Sequence, residues 1–214
     1  MNNTIELFCG TKSFSKAVSK FEYNTFTTDI DCSFEPDDCC DIFDFKPPLK
    51  EYFILWASPP CESFSVGSIG KHWNKDHTPK SENAVYGLKL LEKTIETIHN
   101  IKPTYWFIEN PRGKMRKVID NMLVDKIGIN YKRETICYCR YGDTRMKPTD
   151  IWTNCFKWEP VNKLCKNGNP DHEKAPRGSK TGTQGLKEYK TRSIVPPLLF
   201  SDILYQIREK HEII

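Results

Sequence analysis

In Tyr52-Phe53-Ile54-Leu55-Trp56-Ala57-Ser58-Pro59-Pro60-Cys61-Glu62-Ser63-Phe64-Ser65 an aromatic, branched run meets two prolines and then a cysteine. The run is short and apolar, as a buried strand should be. Neither proline can donate a ladder hydrogen bond and both fix φ, so the strand ends there. A thiol on a rigid turn at the C-terminal end of a central strand sits where open α/β sheets place their chemistry. A second stretch, Phe107-Ile108-Glu109-Asn110-Pro111-Arg112-Gly113, delivers a carboxylate by the same device. A cysteine and a glutamate so presented suit a nucleophile and a general acid in one site. Cys61 as a purely structural loop thiol is the plainer alternative, and the second strand end weighs against it.

Outward from there the same grammar repeats. Thr4-Ile5-Glu6-Leu7-Phe8 reads as a first strand closing in Cys9-Gly10-Thr11. A helix follows, with Phe14, Ala17, Val18 and Phe21 at i, i+3, i+4 and i+7. The turn holds one glycine, so the full dinucleotide fingerprint is absent. A second strand over residues 23–28 runs into Asp29-Ile30-Asp31, where a carboxylate can hold ribose hydroxyls or simply serve a loop. Cys39-Cys40-Asp41-Ile42 is expected as a short third strand or its end, its cysteines packing as small apolar groups. Residues 66–80, with Lys71, His72 and Trp73, read as an exposed, movable loop.

Ser81 should cap a helix whose inner face is Val85, Leu88, Leu91, Ile95 and Ile98. A further helix is predicted over 114–126, with Met115, Val118, Ile119 and Met122 inward and Gly128 as its stop. A strand over 131–139, a turn over 141–148 and a quickly returning, hence antiparallel, strand over 150–154 follow. Pro196-Pro197 starts a closing helix with Leu199, Ile203 and Ile207 facing the core. The expected class is α/β: a mainly parallel sheet with one antiparallel strand. Cys9-Gly10, Asp29, Cys61 and Glu109 should share one crevice along its carboxyl edge. Residues 1–155 form the core unit, 156–192 a small basic segment, and 193–214 a helix returning to the core.

At 214 residues with 12% aromatics, the chain can bury one sizeable core. No apolar run approaches membrane-spanning length, and the polar start is no signal peptide. Nine cysteines at irregular spacings do not form a secreted disulfide framework, so a reducing, cytoplasmic or nuclear interior is expected. Charge is uneven: residues 1–60 carry five Lys against ten Asp and Glu, whereas 157–192 carry nine Lys and Arg against four. The second block suits a polyanion, a solvated face being the bland alternative.

On these residues the chain resembles the DNA (cytosine-5)-methyltransferase family. Leu7-Phe8-Cys9-Gly10-Thr11 is similar to its S-adenosylmethionine turn, Asp29-Ile30 to its ribose and adenine contacts, and Asp41-Ile42 to its second adenine pair. Pro60-Cys61-Glu62-Ser63-Phe64-Ser65 resembles the nucleophile motif, Glu109-Asn110 the motif that engages the target base, and Arg192-Ser193-Ile194 the last cofactor motif. Ala175 through Gly185 resembles a compact branch found largely in phages and other viruses. The resemblance implies an S-adenosylmethionine-dependent, Rossmann-like fold, with Ser13 and Pro59 also at the cofactor. It implies a covalent Cys61 adduct on a cytosine flipped from double-stranded DNA. Ser65, Lys71, His72, Arg112, Lys174, Arg177, Lys180 and Gln184 are expected at the nucleic acid.

Three departures stand out. Thr149 occupies the position where the family has an arginine on the base carbonyl, so Arg145 or Lys147 is expected to substitute. Arg192 replaces the asparagine before the serine of the final motif. Only 156–192 is left in place of a large target-recognition domain. The same chemistry on RNA and a catalytically silent DNA-binding relative are the alternatives. Cys155, Cys165 and His172 have zinc-ligand chemistry, but their irregular spacing favours free thiols and a surface histidine, and no metal is expected.

Overall fold

The computed structural model describes residues 3–161, 164–166, 168–174, 186 and 188–209. Its centre is a seven-stranded sheet in the order β3-β2-β1-β4-β5-β7-β6. These strands are β1 Asn3–Leu7, β2 Asn24–Asp29, β3 Asp38–Cys39, β4 Ile54–Ala57, β5 Tyr105–Pro111, β6 Lys132–Cys137 and β7 Pro148–Thr153. The first five run parallel, and β7 lies antiparallel between β5 and β6. From β1 the chain steps outward through β2 and β3, then returns to β4 on the other side. That reversal opens the crevice in which such sheets bind ligands.

Both faces of the sheet are covered, which is why the central strands are apolar throughout rather than alternating. Leu55 and Ala57 of β4 point to one face, Ile54 and Trp56 to the other. On the first face lie the helices labelled below α3 (Glu82–Ile101) and α4 (Ile119–Lys126), packing Leu91, Ile95, Ile98 and Leu123. On the second lie α1 (Ser13–Val18) and α6 (Pro197–Glu209). There Phe14 stacks on Trp56 at 5.8 Å and meets Phe200 edge-on at 5.5 Å. Each such fully buried large apolar side chain contributes about 1.5–3 kcal/mol. Two short helices, α2 (Ile69–His72) and α5 (Tyr189–Ser193), complete the set. Among the described residues no helix is long and apolar enough to cross a membrane.

Several expectations need correction. The buried stripe of α3 runs through Ala84, Gly87, Leu91, Thr94, Ile95 and Ile98, and Val85 faces outward. Gly87 explains the rotation: a Cβ there would lie 2.6 Å from Ser63 Oγ, so the helix presses on the cysteine turn through its smallest residue. The helix expected over 114–126 is split into a 3-10 turn, Lys114–Lys117, and α4. Asp150, buried in β7, holds Arg116 of that turn through Nε at 2.9 Å. Residues 66–80 do not form a loose loop. Trp73 is buried and donates Nε1–H to Ser63 O at 2.7 Å, and His72 is buried with Nδ1 2.6 Å from Ser81 Oγ. Cys39 does not pack as an apolar group. It is exposed and disulfide-bonded to Cys32, because a 3-10 turn and β3 bring the two Cα atoms to 5.4 Å.

Candidate active site

The two strand ends that carry Cys61 and Glu109 are laced together. Asn110 Nδ2 donates to Pro59 O at 2.9 Å, Lys114 N donates to Phe64 O at 2.8 Å, and Ser65 bridges Gly113. Gly113 has an ordinary extended φ of −176°, so space and not conformation demands glycine there. A Cβ at that position would sit 2.2 Å from Phe64 O. The cysteine turn is itself tight, with Phe64 N and Ser65 N both donating to Cys61 O at 3.0 Å. Cys61 is half-buried, whereas Glu109 is buried and its Oε1 accepts from Tyr138 Oη at 2.9 Å.

Burial pushes the Cys61 thiol above its ordinary range. The Lys147 ammonium pulls it back down, and Glu109 adds to the rise. Lys147 Nζ lies 4.6 Å over the Tyr138 ring, so one cation, one carboxylate and one thiol share the same corner. Arg145, expected as an alternative to Lys147 at the base, is not free to act there. Its guanidinium donates to Asp143, to Thr191 O at 3.2 Å, to Arg192 O at 3.0 Å and to Ile194 O at 2.9 Å. Arg145 therefore clamps the backbone of residues 191–194 onto the sheet. Thr149 is buried, and its Oγ1 donates to Lys147 O at 3.3 Å.

Across the β1–β4 reversal lies the other half of the crevice. Phe8 (φ 56°), Gly10 (φ 45°) and Lys12 (φ 56°) all adopt left-handed backbone, folding the chain sharply from β1 into α1. Gly10 N donates to Asp29 Oδ2 at 2.8 Å, and Asp31 N donates to Asp29 Oδ1 at 2.9 Å. Each carboxylate oxygen thus keeps acceptor capacity. Ile30 beside it is 65% exposed, an apolar surface open to solvent among the described residues. Asp41 is half-buried with Oδ1 accepting from Phe43 N at 3.1 Å, and Ile42 is buried. Pro59 and Cys9 are buried, and Thr11 Oγ1 lies 3.0 Å from Ser13 Oγ. Ser13 Oγ also accepts from Val195 N at 3.2 Å, tying this turn to the final motif. Ser193 Oγ instead donates to Lys190 O at 2.8 Å.

This donor set fits an adenosyl cofactor. Asp29 keeps open lone pairs, no atom lies within 4 Å of where a Gly10 Cβ would be, and Asn110 Oδ1 is buried without a partner.

Of the residues expected at nucleic acid, Lys71, Arg112 and Lys174 are exposed and Ser65 is half-buried with Oγ 2.9 Å from Ser68 Oγ. His72 is buried, which corrects its reading as a contact. Arg177, Lys180 and Gln184 lie outside the described residues. Two site residues escaped sequence reading. Tyr138 gave no signal beyond an aromatic in a strand. Glu6 reads only as part of the first strand, yet it is buried and accepts from Phe14 N at 3.1 Å and Ser15 N at 2.9 Å. It caps α1 from β1, since Lys12 at the N-cap offers no side-chain bond.

No family model matches the chain. A protein of Frog virus 3 (isolate Goorha) named "Probable DNA (cytosine-5)-methyltransferase" is 28% identical over 218 residues, covering 94% of this chain and 97% of that protein. Among solved structures, a prophage-encoded candidate DNA modification methyltransferase of E. coli has a TM-score of 0.49 at 13% identity, covering 72% of this chain and 46% of that one. A DNMT2 variant of Spodoptera frugiperda has a TM-score of 0.47 at 16% identity, covering 79% and 56%. The chain spans about half the length of these solved proteins. Along almost its whole length, however, it is similar to the viral protein named for the DNA (cytosine-5)-methyltransferases, the family its motifs resemble.

Proposed function

We propose that this protein is a DNA (cytosine-5)-methyltransferase, an enzyme that moves the methyl group of S-adenosylmethionine to carbon 5 of cytosine. The single observation that carries the reading is the laced pair of strand ends holding the Cys61 thiol beside Glu109 and Lys147. Carbon 5 of cytosine is too weak a nucleophile to take a methyl group unaided. Addition of the Cys61 thiolate to carbon 6 turns the ring into an enamine with electron density at carbon 5. Lys147 favours the thiolate that this step needs. Glu109, held by Tyr138, serves ring nitrogen 3 as charge builds there. The cofactor supplies an electrophilic methyl. Loss of the carbon-5 proton and of Cys61 then restores the aromatic ring, so the thiol is regenerated.

Asp29 holds the ribose hydroxyls in this reading, with Ile30 and Ile42 against the adenine. The Gly10 turn, closed by Ser13 and Val195, lies beneath the cofactor. The target carbon is unreachable inside a duplex, so the cytosine of double-stranded DNA is flipped out. The basic block 156–192 then stands in for a target-recognition domain, and the compartment is the cytoplasm or, for a viral protein, the cytoplasm or nucleus of its host cell.

Incubation with cofactor and DNA, followed by nucleoside mass analysis, should give 5-methylcytosine. DNA carrying 5-fluorocytosine at the target should become covalently linked to the protein, because fluorine cannot leave as the proton does. Cys61→Ala should abolish both products while still binding cofactor. Methylation by the alanine variant would refute the mechanism, and product confined to RNA would refute the substrate.

A further inference from the structure

A second cluster lies away from the proposed active site, where the basic segment meets the sheet. Cys139 sits in the 3-10 turn Tyr138–Tyr141 that follows β6, and Cys165 and His172 come from the segment beyond β7. Their three ligand atoms lie within 4.8 Å of one another, with Cys165 Sγ 3.3 Å from His172 Nδ1. Cys155, the cysteine that sequence reading grouped with them, lies instead in the hydrophobic core. We propose that Cys139, Cys165 and His172 hold a zinc ion that staples residues 164–166 and 168–174 to the sheet.

The geometry suits that ion. Zinc bound at about 2.3 Å by sulfur and about 2.0–2.1 Å by nitrogen in a tetrahedron holds its ligand atoms roughly 3.5–3.8 Å apart. Two thiolates and an imidazole select zinc over the hard, oxygen-seeking cations. Surrounding donors already aim at the sulfurs. Cys165 N donates to Cys137 Sγ at 3.3 Å, and Asn169 Nδ2 lies 3.5 Å from Cys165 Sγ. Such outer bonds stabilise the charge of metal-bound thiolates. The fourth position falls to solvent, since the three mutually close ligand atoms are those of Cys139, Cys165 and His172.

The segment also needs a staple. It contributes little to either core, and Leu164 is largely exposed. Among the described residues its ties to the rest of the chain include polar ones: Arg140 with Asp171 at 2.7 Å, Arg140 Nε with Leu164 O at 3.4 Å, and Glu173 N with Thr144 O at 2.9 Å. Chain regions without a core commonly order themselves on metal, because the binding free energy becomes folding free energy. The same 3-10 turn carries Tyr138, the hydroxyl donor to Glu109. A bound zinc would therefore fix the start of the basic segment relative to the proposed catalytic carboxylate.

The test is metal content, which does not depend on the methylation reading. Full-length protein produced in zinc-supplemented medium, measured by inductively coupled plasma mass spectrometry, should carry one zinc per chain. Cys165→Ser and His172→Ala should lose it, whereas Cys155→Ser should keep it. If the first two variants fold poorly, the metal-stripped wild type still decides. Titrated with Co²⁺, it should develop a thiolate-to-cobalt charge-transfer band that saturates at one equivalent. Zinc-free wild type after reconstitution, a Cys139–Cys165 disulfide in the protein isolated under reducing conditions, or full zinc content in Cys165→Ser would overturn the proposal.

Discussion

Asp29→Ala is the substitution that tests the cofactor half of the crevice most directly. In the folded chain its two oxygens accept one backbone N–H each, from Gly10 at 2.8 Å and from Asp31 at 2.9 Å. The remaining acceptor directions are those assigned to the ribose hydroxyls. A hydrogen bond to a charged group contributes about 1.5–3 kcal/mol. Losing one such interaction should weaken S-adenosylmethionine binding on the order of 10- to 150-fold. Asp29→Asn keeps one carbonyl acceptor and should fall between the two. Asp31 is the control, because its carboxylate closes a local turn on Ser33 N. Isothermal titration calorimetry on each variant, with circular dichroism to verify the fold, gives the comparison. An unchanged Kd in folded Asp29→Ala, or an equal loss in Asp31→Ala, would refute the assignment.

Two further predictions address the frame around the site. Burial holds the Glu6 carboxyl up at about 7 against an ordinary 4.5, despite its bonds from Phe14 and Ser15. The native state therefore binds that proton more tightly than the unfolded chain. The stability it contributes is whole below about pH 4.5 and is lost as pH rises to about 7, a difference of about 3 kcal/mol. Glu6→Gln should flatten that part of the denaturant-midpoint profile, and an unaltered profile would show that the carboxyl titrates normally. Gly113→Ala would place a Cβ 2.2 Å from Phe64 O, so the cysteine turn must shift. Methylation should fall on the order of 100-fold, as for an ångström-scale misplacement, with cofactor affinity retained. Full activity in that variant would mean that the lacing does not position Cys61.

Much of the architecture was legible because its signals are local. Apolar runs ended by Pro59-Pro60 and by Asn110-Pro111 marked two strands and what they present. Leu199, Ile203 and Ile207 marked the inner face of the closing helix, and all three are buried. What stayed hidden depends on partners distant in sequence. Glu6 caps a helix eight and nine residues away, a role that an isolated polar residue in a strand cannot announce. Arg145 looked like a free cation until the backbone of residues 191–194 appeared around it. The stripe of α3 was misread because Gly87 and Thr94 are not apolar, although both face inward. Cys139 was overlooked as a ligand because it joins Cys165 and His172 only through the fold.

The bond from Val195 N to Ser13 Oγ spans 182 positions, and α6 packs on α1 through Phe200 and Phe14. During synthesis the turn between β1 and α1 emerges well before the residues that close it, which follow 182 positions later. At about 5–20 residues per second the nascent chain waits on the order of ten seconds or more with α1 and one sheet face uncovered. The turn is thus closed only once Val195 has been made, rather than gradually along the chain. A product terminated before Val195 would carry every proposed catalytic side chain and still leave that turn unclosed.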